Sequence, residues 1–223
     1  MKRAAELLFV FAAAAGFACA QVAKEANDQY QSPEARSHIA ASLTEPGRDA
    51  RQKPKALVAA LGIKPGMSVA DVGTGAGYML PWLSAAAGAD GTVYAEDIFP
   101  DFLEKAKANS TKLKNVKFIQ GNEKSVSLPA GTIDVALILD AYHHFNYPEA
   151  MLASVRQALK PGGRLAVVEY HKNKEAMAGG RALTHIRASR DEFVKEIEAN
   201  GFRAVEVRDF NPEVQWIGIF EPK

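Results

Sequence analysis

Cysteine is nearly absent from this chain: Cys19 is the only one in 223 residues. That excludes a disulfide framework within the chain and a thiolate metal centre. Charge of one sign is lacking as well. The 27 basic residues face 26 acidic ones, for a net charge of +1, so the basic stripe of a nucleic-acid binder is not expected and no nucleic-acid partner is implied. Long apolar runs are missing after the N-terminus. The one such run, Leu7 to Ala20, has 14 residues and is short of the ~20 that span a bilayer. Low complexity and internal repeats are also lacking after that run.

What the first twenty residues do contain is ordered like an export signal. Lys2 and Arg3 make a positive start, the Ala-rich run follows, and Ala18-Cys19-Ala20 is an A-x-A site ahead of Gln21. Residues 1–20 are therefore expected to be a cleaved signal peptide, with a periplasmic or secreted product. A lipoprotein acylated at Cys19, or an uncleaved anchor, ranks below that. Cleavage would remove Lys2, Arg3 and Glu6, leaving 25 charges of each sign and no cysteine.

The most informative stretch is Val69-Ala70-Asp71-Val72-Gly73-Thr74-Gly75-Ala76-Gly77-Tyr78. Met67 to Val72 reads as a buried strand. It breaks into a loop with glycine at every second position, and a helical pattern of Tyr78, Leu80, Trp82 and Leu83 follows. Strand, glycine loop and helix form a ligand cradle, because glycine lets a ligand approach the main chain and the helix start offers unpaired N–H groups. The spacing fits the dinucleotide fingerprint G-x-G-x-x-G poorly.

Strands and helices then alternate. Strands are expected at Thr92–Glu96, Val116–Gln120, Ile133–Leu139 and Arg164–Tyr170, and helices at Asp101–Ser110 and Pro148–Leu159. Ile133–Leu139 is almost wholly apolar, as a strand buried on both faces should be. This alternation implies an α/β fold, a parallel sheet covered by helices. Ser189-Arg190-Asp191-Glu192 is a capping box that opens one more helix. Phe202–Phe210 and Gln215–Phe220 close the chain as an antiparallel pair at the sheet edge. Residues 21–54 read as an N-terminal extension, either packed over the core or a linker, and residues 171–188 as a loop. The domain proper is residues 55–223.

These pieces resemble the class I S-adenosylmethionine-dependent methyltransferases, whose first motif is D/E-x-G-x-G-x-G. The resemblance implies a three-layer Rossmann-like fold with a seven-stranded, mostly parallel sheet and an antiparallel last strand. It implies S-adenosylmethionine as cofactor. Asp71, Gly73, Gly75 and Gly77 fall on the first motif, and Asp97 matches the acid that ends the second strand and holds the ribose hydroxyls. Asn122 stands where an adenine contact is expected, and Asp140 begins the motif after the fourth strand. Leu159-Lys160-Pro161-Gly162-Gly163 matches the family's turn before the fifth strand. The signal, Arg48-Asp49-x-x-Gln52-x-Pro54 and Tyr142-His143-His144-Phe145 are similar to a bacterial group of exported methyltransferases.

The physical chemistry of such a cofactor suits these residues. Its carboxylate suits loop N–H groups, its ammonium suits Asp71, and Asp97 offers two acceptors to two hydroxyls. Glu96 competes with Asp97 for that role. His143 and His144 are the candidate catalytic residues, set at a strand's carboxyl end, where α/β ligands bind. One of them is expected to contact or deprotonate a small-molecule acceptor. No metal site is expected, since the five histidines show no ligand spacing beyond the adjacent pair. Two other readings stay open: a nicotinamide-dependent oxidoreductase on a Rossmann-like core, and a non-catalytic binding protein that keeps the fold. Nothing in the chain marks an oligomeric state.

Overall fold

A computed structural model describes residues 21–223; the expected signal segment, residues 1–20, lies outside the described residues. The N-terminal extension folds into helices. Helix α1 (Lys24–Asn27) runs into a short 3₁₀ turn, α2 spans Pro33–Ser42 and α3 spans Arg48–Gln52. Ser32 caps α2 by accepting the Ala35 N–H at 3.2 Å, and Pro33 fills the first turn, where no N–H partner is needed. Lys53, at φ +44°, turns the chain directly into α4 (Pro54–Leu61).

The core alternates β1 (Ser68–Val72), α5 (Leu80–Ala87), β2 (Thr92–Asp97), α6 (Pro100–Asn109), β3 (Val116–Gln120), β4 (Ile133–Leu139), α7 (Pro148–Ala158) and β5 (Leu159–Tyr170). Short α8 (Ala182–His185), then α9 (Arg190–Ala199), β6 (Phe202–Asn211) and β7 (Gln215–Pro222) complete it. The seven strands form one sheet in the order β3-β2-β1-β4-β5-β7-β6. β7 is antiparallel to both neighbours, and the β1 to β5 pairings are parallel. The expected fold class is the observed one.

Alternation along each strand sorts the core into two layers. Val69, Val135, Leu137, Ala166 and Val168 face α4, α5 and α6, against Leu57, Leu61, Leu80, Leu83 and Ala106. Ala70, Ala136, Ile138, Leu165 and Val167 face α7 and α9, against Leu152, Val155, Phe193 and Ile197. Burial on both faces explains the unbroken apolar run of β4. Each buried Leu, Ile or Phe contributes about 1.5–3 kcal/mol.

Four elements differ from expectation, one being α8, which lies inside the segment 171–188 expected to be a loop. The helix after the glycine loop starts at Leu80, not Tyr78, because Pro81 is admitted only in a first turn. β5 begins five residues early: Leu159 pairs with Ile133 and Arg164 with Val135, so the Lys160–Gly163 turn bulges out of a continuous strand. The closing pair is antiparallel, but β7 lies inside the sheet and only β6 is an edge. The exposed side chains of Glu206, Arg208 and Asp209 keep that edge charged.

Candidate active site

The glycine loop is held from beneath. The Gly73 and Thr74 amides both donate to the Glu96 carbonyl, at 2.9 and 2.8 Å. Gly73, Gly75 and Gly77 all have positive φ, a region costly to other residues. A Cβ on Gly73 would lie 2.8 Å from that of Ala141, and one on Gly77 would press on Leu80 and Ala106. Gly73 and Gly75 thus open the loop to the cavity, while Gly77 lets the loop pack on α6. Asp71 does not reach the cavity wall. It is buried under the loop, accepts the Thr74 hydroxyl at 2.7 Å, and burial raises its carboxyl to about 6.

Two acids end β2. Asp97 Oδ2 accepts the Gly75 amide at 2.9 Å and Oδ1 accepts the Phe99 amide at 3.0 Å. Burial raises Asp97 to about 6 against these bonds. Glu96 is raised further, to about 8, by burial and then by the Asp97 charge. Its Oε1 is buried without a partner. Gly121 leaves the space for it, since a Cβ there would fall 1.8 Å from Glu96 Oε1. Both acids line the cavity, as does Asn122 after β3, whose Oδ1 accepts the Lys124 amide at 3.0 Å.

Asp140, at φ +52°, turns the chain out of β4. Its carboxylate accepts from Gln215 Nε2 at 2.6 Å and from Gln52 Nε2. Gln215 Nε2 also donates to Gln52 Oε1 at 3.0 Å, which ties α3 to the start of β7. Burial and the Glu169 charge raise Asp140 to about 6.

The two histidines diverge. His144 is on the cavity wall; His143 is not. His143 is 1% exposed, and its Nδ1 lies 2.7 Å from Glu169 Oε2, which also accepts the His143 amide. His143 Nε2 lies 3.2 Å from His185 Nε2. His144 Nδ1 meets Asn27 Oδ1 at 2.8 Å, and its Nε2 meets the Tyr30 hydroxyl at 3.3 Å. Burial holds His144 well below the usual histidine range.

Together these residues face a cavity of about 670 Å³, a size that suits a nucleoside-bearing ligand. Gly73, Gly75, Asp97, Asn122, Asp140 and His144 meet on its wall. Tyr30 and Arg48 from the extension close over it. Tyr30 stacks on Phe99 at 5.9 Å, and Arg48 lies 4.2 Å above the Tyr78 ring. Sequence reasoning missed Tyr30, Gln215, Glu169 and His185, and met Arg48 only as part of the Arg48-Asp49-x-x-Gln52-x-Pro54 segment. Only Glu169 left a signal, a carboxylate directly after the apolar run Leu165–Val168.

A family model described as a methyltransferase domain matches residues 70–167. The chain carries a class I S-adenosylmethionine-dependent methyltransferase domain. An S-adenosylmethionine-dependent methyltransferase from Aquifex aeolicus superposes with a TM-score of 0.76 and 27% identity, over 82% of this chain and 96% of that one. Another such enzyme, from Mesorhizobium loti, shares the fold at a TM-score of 0.61 and 18% identity, over 74% of this chain and 95% of its own. A ubiquinone/menaquinone biosynthesis C-methyltransferase, UbiE, from Marinomonas sp. is 33% identical over 114 residues, 50% of this chain and 45% of that relative. The chain thus spans just under half the length of the curated relatives it matches. S-adenosylmethionine is the cofactor of this methyltransferase domain, and the residues fit it. Gly73 and Gly75 leave main chain bare at the wall, and the buried Glu96 Oε1 is an acceptor without a donor.

Proposed function

We propose that this protein transfers a methyl group from S-adenosylmethionine to a small-molecule acceptor. The observation that carries this reading is the cavity itself, which collects Gly73, Gly75, Asp97, Asn122 and Asp140 from the carboxyl ends of four parallel strands. When bound, S-adenosylmethionine supplies a sulfonium methyl carbon whose leaving group departs as a neutral thioether and needs no acid.

The residues of the chain supply orientation, worth up to about 7–11 kcal/mol in favourable cases. Each oxygen of Asp97 already takes one backbone amide and keeps a further lone pair for a ribose hydroxyl. Asn122 is placed for the adenine edge. Asp71 acts one step removed, fixing the loop through Thr74. His144 is the histidine that meets the acceptor, from the cavity wall. His143 positions its neighbours from behind. Residues 21–54 serve as the roof that excludes water.

Incubation with methyl-tritiated S-adenosylmethionine and the small-molecule fraction of a bacterial extract tests the reading. Label is expected to move into an organic product, and to stop moving on boiling and in Gly73→Ala. Label that stays with the cofactor would contradict transfer to a small acceptor. The export reading of residues 1–20 joins this proposal on the layout of Lys2, Arg3, the apolar run and Ala18-Cys19-Ala20. A reporter active only in the periplasm, fused after residue 54, is expected to be active. Silence from a well-expressed fusion would place the domain on the cytosolic side.

A further inference from the structure

Three histidines that the sequence keeps apart meet beside the cavity. One ring nitrogen from each of His143, His144 and His185 lies within 4.8 Å of the other two. The hydrogen bonds around them fix which nitrogen is free. Asn27 Nδ2 donates to the His144 carbonyl at 2.9 Å and towards Asn146 Oδ1 at 3.3 Å, so its own oxygen must accept from His144 Nδ1. Glu169 likewise accepts from His143 Nδ1. Arg181 Nη2, which can only donate, lies 3.2 Å from His185 Nε2. Each ring therefore keeps its lone pair on Nε2, that of His144 facing the Tyr30 hydroxyl at 3.3 Å and that of His185 shared with Arg181. Two of those lone pairs, on His143 and His185, face each other at 3.2 Å. Something positive belongs between them.

We propose that His143, His144 and His185 bind one divalent transition-metal ion of the Zn²⁺ class through Nε2, with a fourth position open to the cavity. The close pair has the right spacing: Zn–N bonds of about 2.0–2.1 Å in a tetrahedron set ligand nitrogens about 3.3 Å apart, against 3.2 Å for His143 and His185, and the set as a whole, within 4.8 Å, would draw together around an ion. Imidazoles suit such ions, and a three-histidine set leaves the exchangeable position of catalytic sites. The surroundings agree too. A ligating histidine characteristically gives its other N–H to a carboxylate or carbonyl, as His143 does to Glu169 and His144 to Asn27. Glu169, fully buried, backs His143 with a carboxyl group. Arg181 is exposed and free to swing off His185 when an ion takes that lone pair. On the methyl-transfer reading, on which this last consequence alone rests, the open position would take the acceptor's oxygen or sulfur and lower its pKa.

The opposing account is a proton. A cationic His143 could bridge Glu169 and His185 with no ion at all. The untagged full-length chain, stripped with a chelator and dialysed against Zn²⁺ or Co²⁺, separates the two. Elemental analysis should find one ion per chain, and Co²⁺ should give the intense visible bands of a tetrahedral site. His185→Ala and the less disruptive His185→Asn should each weaken binding at least 100-fold, Glu169→Gln about 10–100-fold, and exposed His38→Ala not at all. Circular dichroism on every variant confirms folding. A folded wild type that takes up no stoichiometric ion, or one whose uptake survives both His185 changes, would overturn the site. S-adenosylmethionine binding by the same samples is measured separately, so failure of the metal site and failure of the methyltransferase reading are told apart.

Discussion

The Asp97 carboxylate accepts the Gly75 amide at 2.9 Å, so the acid ending β2 and the glycine loop after β1 form one unit. Neither can move without the other. The loop is also tied to the same strand by two amides on the Glu96 carbonyl. A cofactor seated on the loop is thereby placed against Asp97 before any side chain rearranges.

Gly73 is the loop position least able to take a side chain. Its φ is +75°, and a Cβ would meet the Cβ of Ala141 at 2.8 Å, with no flexible end to yield. Gly73→Ala is expected to cost about 1–3 kcal/mol of stability and to weaken S-adenosylmethionine binding more than tenfold. Urea denaturation and calorimetry check both. An unchanged affinity would remove the loop from the site.

Glu96 predicts a pH dependence. Its folded value of about 8 stands above the ordinary 4.5, so the folded state holds the proton more tightly than the unfolded one. Its contribution is fully present below about pH 4.5 and is lost as pH rises through about 8. Between about pH 5 and pH 9 the ligand-free protein should lose on the order of 2 kcal/mol more stability than Glu96→Gln does. Asp71 and Asp97 are shifted in the same direction and stay in both proteins. Parallel pH profiles for wild type and variant would show that Glu96 is solvated.

Gln215 is the hinge pin between roof and sheet. It donates to Asp140 at 2.6 Å and to Gln52 at 3.0 Å. Gln215→Leu keeps the volume and deletes both bonds, leaving the Asp140 carboxylate short of a donor. The expected cost is about 1–3 kcal/mol, read as a lower urea midpoint, together with faster proteolysis within residues 43–53. No change in either would mean that α3 is held by other contacts.

Most strands were legible in the sequence to within a residue, because a parallel strand buried on both faces must be an apolar run between turn residues. Ile133–Leu139 ends where expected for that reason, and Val116–Gln120, a half-buried edge strand, is bounded as expected too. The Ser189 capping box forms in full, since its two reciprocal bonds are local. The N-terminal extension was not legible in this way. Its partners are far off in sequence: Tyr30 finds His144 and Phe99, and Gln52 finds Asp140 and Gln215. His185 hid for the same reason, inside a segment read as loop that contributes buried Ala182 and Ile186 to the core. Asp71 and His143 were visible as motif residues, but residue type alone does not say which side of a loop a side chain takes. Burial beneath the loop, and behind His144, decided that.

The central claim is the cofactor site, and calorimetric titration with S-adenosylmethionine, its demethylated product and NADH tests it most directly. Wild type should bind the first two and ignore NADH, and Asp97→Ala should bind both at least tenfold more weakly while remaining folded. Binding of NADH alone, or a folded wild type that binds none of the three, would contradict the account.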